Sequence, residues 1–309
     1  MTKYSLGLFL VLSITRISSA ENDNQAATDS RTVSVQRNIV YGWVHGAALI
    51  ADFANPRTDN KKPAIISLHG GRWKAGNKNI YGAIDVAQWA DLGFFAMTID
   101  YRLRGCSPPP ACYQDVQCAI RYLHAHADQY HIDEDRIFLI GQSAGGHMVS
   151  LAATLGNGKY RKTGGWEEAR NDICAAICVS GALDLTTCPW GDLWTPNYQP
   201  SMEAREYASP IKHVNQDMRP LIIFHADNDK SVPIENALSM VEELKAKNAP
   251  FVFHHYAAEG HMNVTPEVIK RSLEFIETVS ENKGILSKSY QTFTEHVEAA
   301  QRSHMKTSR

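Results

Sequence analysis

The segment Gly141-Gln142-Ser143-Ala144-Gly145 sets a serine between small residues in the spacing G-x-S-x-G. An apolar run at residues 137–140 precedes it, and a helical pattern over residues 146–155 follows. A serine on so tight a strand-to-helix turn is held in a strained backbone geometry, with its hydroxyl at the positive end of a helix, which is the setting of a nucleophile. Such a serine needs a base, and the base needs an orienting carboxylate. After the apolar run 221–224 comes His225-Ala226-Asp227-Asn228-Asp229-Lys230-Ser231-Val232-Pro233, where Asp227 and Asp229 compete for the acid. After a strand pattern at Phe251–Tyr256 comes Glu259-Gly260-His261, which supplies a base. A tetrahedral intermediate also needs N–H donors for its oxyanion. His69-Gly70-Gly71-Arg72-Trp73 stands where the third strand ends, and Ala144 N–H follows the serine.

The elements that must carry these residues are legible in the hydrophobic pattern. Residues 33–44 and 48–53 read as two strands joined by a hairpin turn at His45-Gly46. Residues 64–68, 94–99 and 137–140 are short continuous apolar runs, as expected of strands buried on both faces of a parallel sheet. Helical periodicity lies between them, at Ile84, Ala87, Trp89 and Leu92; at Val116, Ile120, Leu123 and Ala127; and at Met148, Leu151, Ala152 and Leu155. Apolar runs at 173–179 and 221–224, a helix over 234–247, the strand at 251–256 and a helix over 266–279 continue the alternation. That alternation predicts an α/β fold around a mostly parallel sheet. Residues 156–172 and 185–208 depart from it and are long enough to be functional loops or a small lid. In the second of these, Trp190 and Trp194 either stack on an aromatic acid or sugar or pack as lid. His124, His126 and His131 are expected to face solvent from a polar helix face. Residues 284–309 are polar, weakly periodic and expected to form a peripheral tail.

The chain has 309 residues, 44% hydrophobic and 21% charged, with a formal net charge of −2. This near-neutral balance argues against a nucleic-acid or anionic-membrane binder, which needs a basic excess. Lys3, the apolar stretch 6–14 and the small residues Ser18-Ser19-Ala20 form a secretory signal pattern over residues 1–20, too short for a membrane span. Residues 21–32 are polar and read as a flexible mature N-terminus, followed by one domain over 33–283. Export permits disulfides. Cys106 and Cys112 flank a proline-rich loop and are candidates to pair, as are Cys174 or Cys178 with Cys188; buried free thiols are the alternative. No Cys/His grouping has zinc-ligand spacing, so no metal is expected. Asn263-Val264-Thr265 is a glycosylation acceptor pattern beside His261.

Together HGGRW, GQSAGG, HADNDKSVP and EGH resemble the α/β-hydrolase superfamily, over about residues 33–282. Within it they resemble the secreted esterase and lipase-like group with an HGGxW oxyanion motif, related to hormone-sensitive-lipase-like acyl hydrolases and bacterial feruloyl or acetyl esterases. Asp100-Tyr101-Arg102-Leu103 is close to that group's N-Y-R-L. The resemblance implies an α/β-hydrolase fold and a triad of Ser143, Asp229 and His261, which breaks the tie against Asp227. It implies oxyanion amides at Gly71, Arg72 and Ala144, and no cofactor. It further implies cleavage of short-chain or aromatic acyl esters, small or attached to carbohydrate. The chain departs from the pattern at Ala226, Arg72 and Asp100, and of these only Arg72 bears on substrate. An arylformamidase-like amidase and a non-catalytic hydrolase-fold binding protein are the competing readings. The oligomeric state is left open.

Overall fold

The apolar runs become the strands of one twisted sheet whose central members are buried on both faces. The structure, a computed structural model, describes residues 33–195, 199–281 and 293–296. The signal-like segment 1–20, the polar stretch 21–32 and most of the expected tail lie outside the described residues. β1 (Val33–Val44) and β2 (Ala47–Pro56) form the expected antiparallel hairpin, and β2 pairs antiparallel with β4 (Phe95–Ile99). The next strand pairings are parallel: β4 with β3 (Lys62–Leu68), β3 with β5 (Ile132–Gln142), and on through β6 (Ala175–Val179), β7 (Leu221–Ala226) and β8 (Phe251–Tyr256). Inside the expected tail, β9 (Phe293–His296) adds a parallel strand beside β8. Among the described residues the order is β1-β2-β4-β3-β5-β6-β7-β8-β9.

Side chains alternate between two cores with the period of two that a pleated strand imposes. On β5, Ile137 and Leu139 enter one core while Phe138 and Ile140 enter the other; on β7, Leu221 and Ile223 oppose Ile222 and Phe224. The first core is covered by α2 (Ala111–Ala125), α4 (Ala144–Thr154) and α6 (Ile234–Ala246), through Val116, Met148 and Met240 among others. The second is covered by α1 (Val86–Asp91) and α7 (Pro266–Glu281), through Trp89 and Phe275. Each fully buried Ile, Leu or Phe is worth about 1.5–3 kcal/mol over leaving it exposed. Two short helices, α3 (Ala127–Tyr130) and α5 (Met202–Tyr207), complete the set. No helix among the described residues is long and apolar enough to cross a membrane.

The strand order places a crevice. From β3 the chain passes to β4 on one side, and then to β5 on the other, so connections diverge between β3 and β5. At such a switch point the loops leaving the carboxyl ends of the two strands separate and leave a cleft. The His69-Gly70-Gly71 turn leaves β3 there, and Ser143 leaves β5.

Two expectations are corrected. All six cysteines are free. Cys112 is drawn into the core as α2 begins, while Cys106 stays in an exposed turn. Burial pushes the Cys174 and Cys178 thiols up to about 11, and those of Cys118 and Cys188 up to about 12, so they are protonated and unreactive at neutral pH. His124 is buried rather than solvent-facing. Its Nε2–H donates to Asp172 O at 2.9 Å, and Nδ1 lies 3.2 Å from Glu134 Oε1. His126 is half-buried against Trp166, and His131 is exposed.

One buried ion pair fixes α2 to the loop after β4. Arg102 Nε donates to both carboxylate oxygens of Asp115 at 2.9 and 3.0 Å, and its Nη2 donates to Oδ1 at 2.7 Å. The Arg102 backbone N–H adds a 2.7 Å bond to Oδ2. The Asp115 side chain is wholly buried. Replacing it strands a guanidinium in the interior, so Asp115→Ala is expected to lower the unfolding free energy by about 3–5 kcal/mol in urea titrations. A loss below about 1 kcal/mol, the range of exposed pairs, would show that the pair contributes little.

Candidate active site

Ser143 lies between β5 and α4 with φ 55° and ψ −114°, a conformation costing a non-glycine residue about 1–3 kcal/mol. Backbone bonds hold it there: Ser143 N–H donates to Val179 O at 2.8 Å, and its own carbonyl accepts from His147 N–H at 2.9 Å. The following turn demands glycine, because a Cβ on Gly145 would lie 2.0 Å from the carbonyl oxygen of Leu68. The absent side chain therefore lets the start of α4 rest directly on the end of β3.

That contact brings the turn after β3 to the serine. Gly71, Arg72 and Trp73 have φ of 103°, 52° and 57°, three successive left-handed residues. Gly71 O accepts from the N–H groups of Lys74 and Ala75 at 3.1 and 3.0 Å, and Trp73 O accepts from Arg104 N–H at 2.7 Å. A Cβ on Gly71 would strike Ala75 O at 2.0 Å. Buried Trp73 packs edge-on against Trp194 and His147, with ring centroids 5.4 and 5.1 Å apart. Burial drives the His147 pKa down to about 4, so it is neutral, and its Nε2–H donates to Ala208 O at 2.7 Å. The excursion after β6 is thereby fastened to α4. Arg72, Trp73, Ser143 and Ala144 share the wall of a small cleft with Trp190 and Val232. Of the three expected oxyanion residues, Arg72 and Ala144 border this cleft; Gly71 is not among its wall residues. The Arg72 side chain is exposed.

The two aspartates of the loop after β7 have separate partners. Asp229, its side chain wholly buried, is 2.8 Å from His261 Nδ1 through Oδ2. Its Oδ1 accepts from the backbone N–H groups of Ser231 and Val232 at 2.8 and 2.9 Å. Burial works to raise the Asp229 pKa, but the bonds from His261, Val232 and Ser231 outweigh it and hold the carboxyl below its ordinary value. An ionised carboxylate only accepts, so the bond between them is donated by His261 Nδ1–H. Asp227 instead faces His255, whose Nε2 lies 2.5 Å from its Oδ1. His225, buried beneath the loop, donates Nε2–H to Val232 O at 2.9 Å and lies 3.5 Å from Asp229 Oδ2. Among the described residues no group of three or more His, Cys, Asp or Glu side chains could hold a metal ion.

Two further side chains stood outside the expected site. Gln142 Nε2 donates to Met262 O at 3.0 Å, and Met262 N–H donates to Ser180 Oγ at 3.0 Å. Both bonds meet at the residue after His261. Their only sign in the sequence is that each is a polar residue closing an apolar strand.

A BD-FAE family model matches residues 52–244, which take in Ser143 and Asp229 and end before His261. The chain is 32% identical over 196 residues to the probable carboxylic ester hydrolase LipM of Mycobacterium tuberculosis, covering 59% of this chain and 45% of that protein. It is 28% identical over 229 residues to esterase LipC of the same organism, covering 68% and 55%. The chain thus spans about half the length of the curated relatives it matches. Among solved structures, a truncated carbohydrate esterase from gut microbiota superposes with a TM-score of 0.73 at 22% identity, covering 82% of this chain and 99% of that one. Esterase Est2 of Thermogutta terrifontis superposes at 0.66 and 21% identity, covering 83% and 94%. At these identities the superpositions speak for the α/β-hydrolase fold. The family match spans well over half of the chain, from within β2 to within α6, and the chain belongs to the BD-FAE family.

Proposed function

We propose that this protein is an exported serine hydrolase that cleaves carboxylic esters of short or aromatic acids, including esters carried on carbohydrate. The observation that carries the reading is the cleft shared by Ser143, Ala144, Arg72 and Val232, with the Asp229–His261 bond of 2.8 Å in the loops beside it. Ser143 Oγ attacks the ester carbonyl while His261 Nε2 takes its proton. Asp229 keeps the imidazole in the required tautomer and stabilises the imidazolium that forms. The N–H of Ala144, at the start of an eleven-residue helix, and those of the Gly71–Arg72 turn receive the oxyanion. His261 then returns the proton to the leaving alcohol, and a water activated by the same nitrogen releases the acid from the acyl-enzyme. The chemistry calls on side chains and backbone only.

Trp73 and Trp190 give the cleft wall flat apolar surface, which supports a short or aromatic acyl group. The names of relatives support the ester class: carboxylic ester hydrolase for LipM, and, for a superposable structure from Caldicellulosiruptor lactoaceticus, acetyl ester-xyloside bifunctional hydrolase. Export rests on the signal pattern of residues 1–20.

Three substitutions test this reading. Ser143→Ala should fold normally and lower kcat on p-nitrophenyl acetate by about 10⁴-fold or more. Activity within tenfold of the parent would remove the nucleophile. Asp229→Asn should lower kcat by roughly 10³–10⁴-fold by disturbing the imidazole tautomer. Asp227→Asn should stay within about twofold, because its partner is His255 and not His261. The reverse order in steady-state assays would reassign the acid.

A further inference from the structure

Gln142 occupies the variable position before the nucleophile, yet it is buried and is met twice by the connection from β3 to α1 and once by the loop after β8. A Cβ added to Gly70, in the turn after β3, would lie 2.3 Å from Gln142 Oε1 and 3.2 Å from Ser143 Cβ. A Cβ on Gly82 would lie 2.3 Å from Gln142 Cβ and 3.0 Å from Asn263 Oδ1. The backbones of residues 70 and 82 thus close on this side chain from two directions, and Gly70 N–H donates to Tyr81 O at 2.7 Å to lock them together. The third contact is the 3.0 Å bond from Nε2 to Met262 O, across 120 residues of sequence.

Ser180 completes the grip from the other side. It is fully buried at the end of β6, with φ 47°, a left-handed conformation for a residue with a side chain. Its N–H donates to Phe224 O at 2.8 Å, and its Oγ accepts the Met262 N–H at 3.0 Å. Both backbone polar groups of Met262 are therefore held by side chains from the ends of β5 and β6. The His261 side chain is tied to Asp229 through Nδ1, so the placement of its ring also depends on where the backbone at residues 261 and 262 is held. A displacement of 1 Å at a reacting group is enough to cost about 10²-fold in rate.

We infer that Gln142 and Ser180 are positioning residues that clamp Met262 and so hold the His261 imidazole in register with Ser143. The inference rests on the serine-hydrolase reading and adds to it the device that sets the base. Gln142 donates a bond that a methionine of similar shape cannot make, and Ser180 accepts one that alanine cannot, so each half of the clamp is removable with little change in volume.

The test uses the full chain and its Gln142→Met and Ser180→Ala variants, with two readouts. In ester turnover on p-nitrophenyl acetate, each variant should lose about tenfold or more in kcat, while KM stays within about twofold. In proton NMR, the downfield Nδ1–H resonance of His261, assigned by its loss in Asp229→Asn, should broaden or shift in both. Should one variant fail to fold, the other decides by the same two measurements. Unchanged kcat, or a resonance that does not move, would overturn the clamp. If the parent itself turns over no ester but the resonance still responds to Gln142→Met, the clamp stands and the hydrolase reading falls.

Discussion

Between Gly145 and the carbonyl of Leu68 there is no room for a methyl group, and this close approach governs the architecture around Ser143. It lets α4 begin directly against the end of β3, so the strained turn at Ser143 and the left-handed turn through Gly71, Arg72 and Trp73 share one small cleft. The strain at Ser143 persists because the backbone on both sides is bonded, to Val179 O and from His147 N–H, and because α4 is packed along its length. Local conformational cost of this kind survives only where surrounding structure over-determines it. Val232, in the loop after β7 that carries Asp229, borders the same cleft.

The approach of the acid and base loops is ordered from the sheet outward. β7 and β8 are adjacent, so the loops that follow them lie side by side, and side chains tie the loop after β7 to β8 and to the loop beyond it: Asp227 with His255 of β8, Asn228 Oδ1 with Gly260 N–H at 2.6 Å, and Asp229 with His261. The first two contacts align the loops, and Asp229 meets His261 farthest from the sheet. Asp229 suits that position because its second oxygen is already saturated by two backbone N–H groups. This holds it ionised, with one lone pair directed at the imidazole.

Much of this is legible in the residues themselves. Strands β3, β4, β6, β7 and the second half of β5 appear as continuous apolar runs because helices cover both faces of the sheet, while β5 begins five residues before its run, through the charged residues 133–136; Phe251–Tyr256 is found at its expected bounds. The G-x-S-x-G turn is legible because sterics dictate its glycines. What pattern reading missed depends on partners distant along the chain. His124 lies near the end of α2, and only the approach of Glu134 and Asp172 gives it a satisfied buried site. Cys106 and Cys112 are near in sequence, but the start of α2 separates an exposed thiol from a buried one. Asp227 and Asp229 are chemically equal in the sequence, and the register of two loops distinguishes them. Gln142 looks like a free choice within its motif until residues 70, 82 and 262 are seen to converge on it.

The central claim is that side chains far apart along the chain meet around one reacting carbonyl. A crystal structure of the protein after reaction with a fluorophosphonate ester tests it most directly, because the adduct mimics the tetrahedral intermediate. The account predicts phosphorus bonded to Ser143 Oγ, the phosphoryl oxygen about 2.7–3.1 Å from the N–H groups of Ala144 and the Arg72 turn, and His261 Nε2 within hydrogen-bond reach of the ester oxygen. An unmodified Ser143, or an adduct whose phosphoryl oxygen points away from those amides with His261 out of reach, would contradict it.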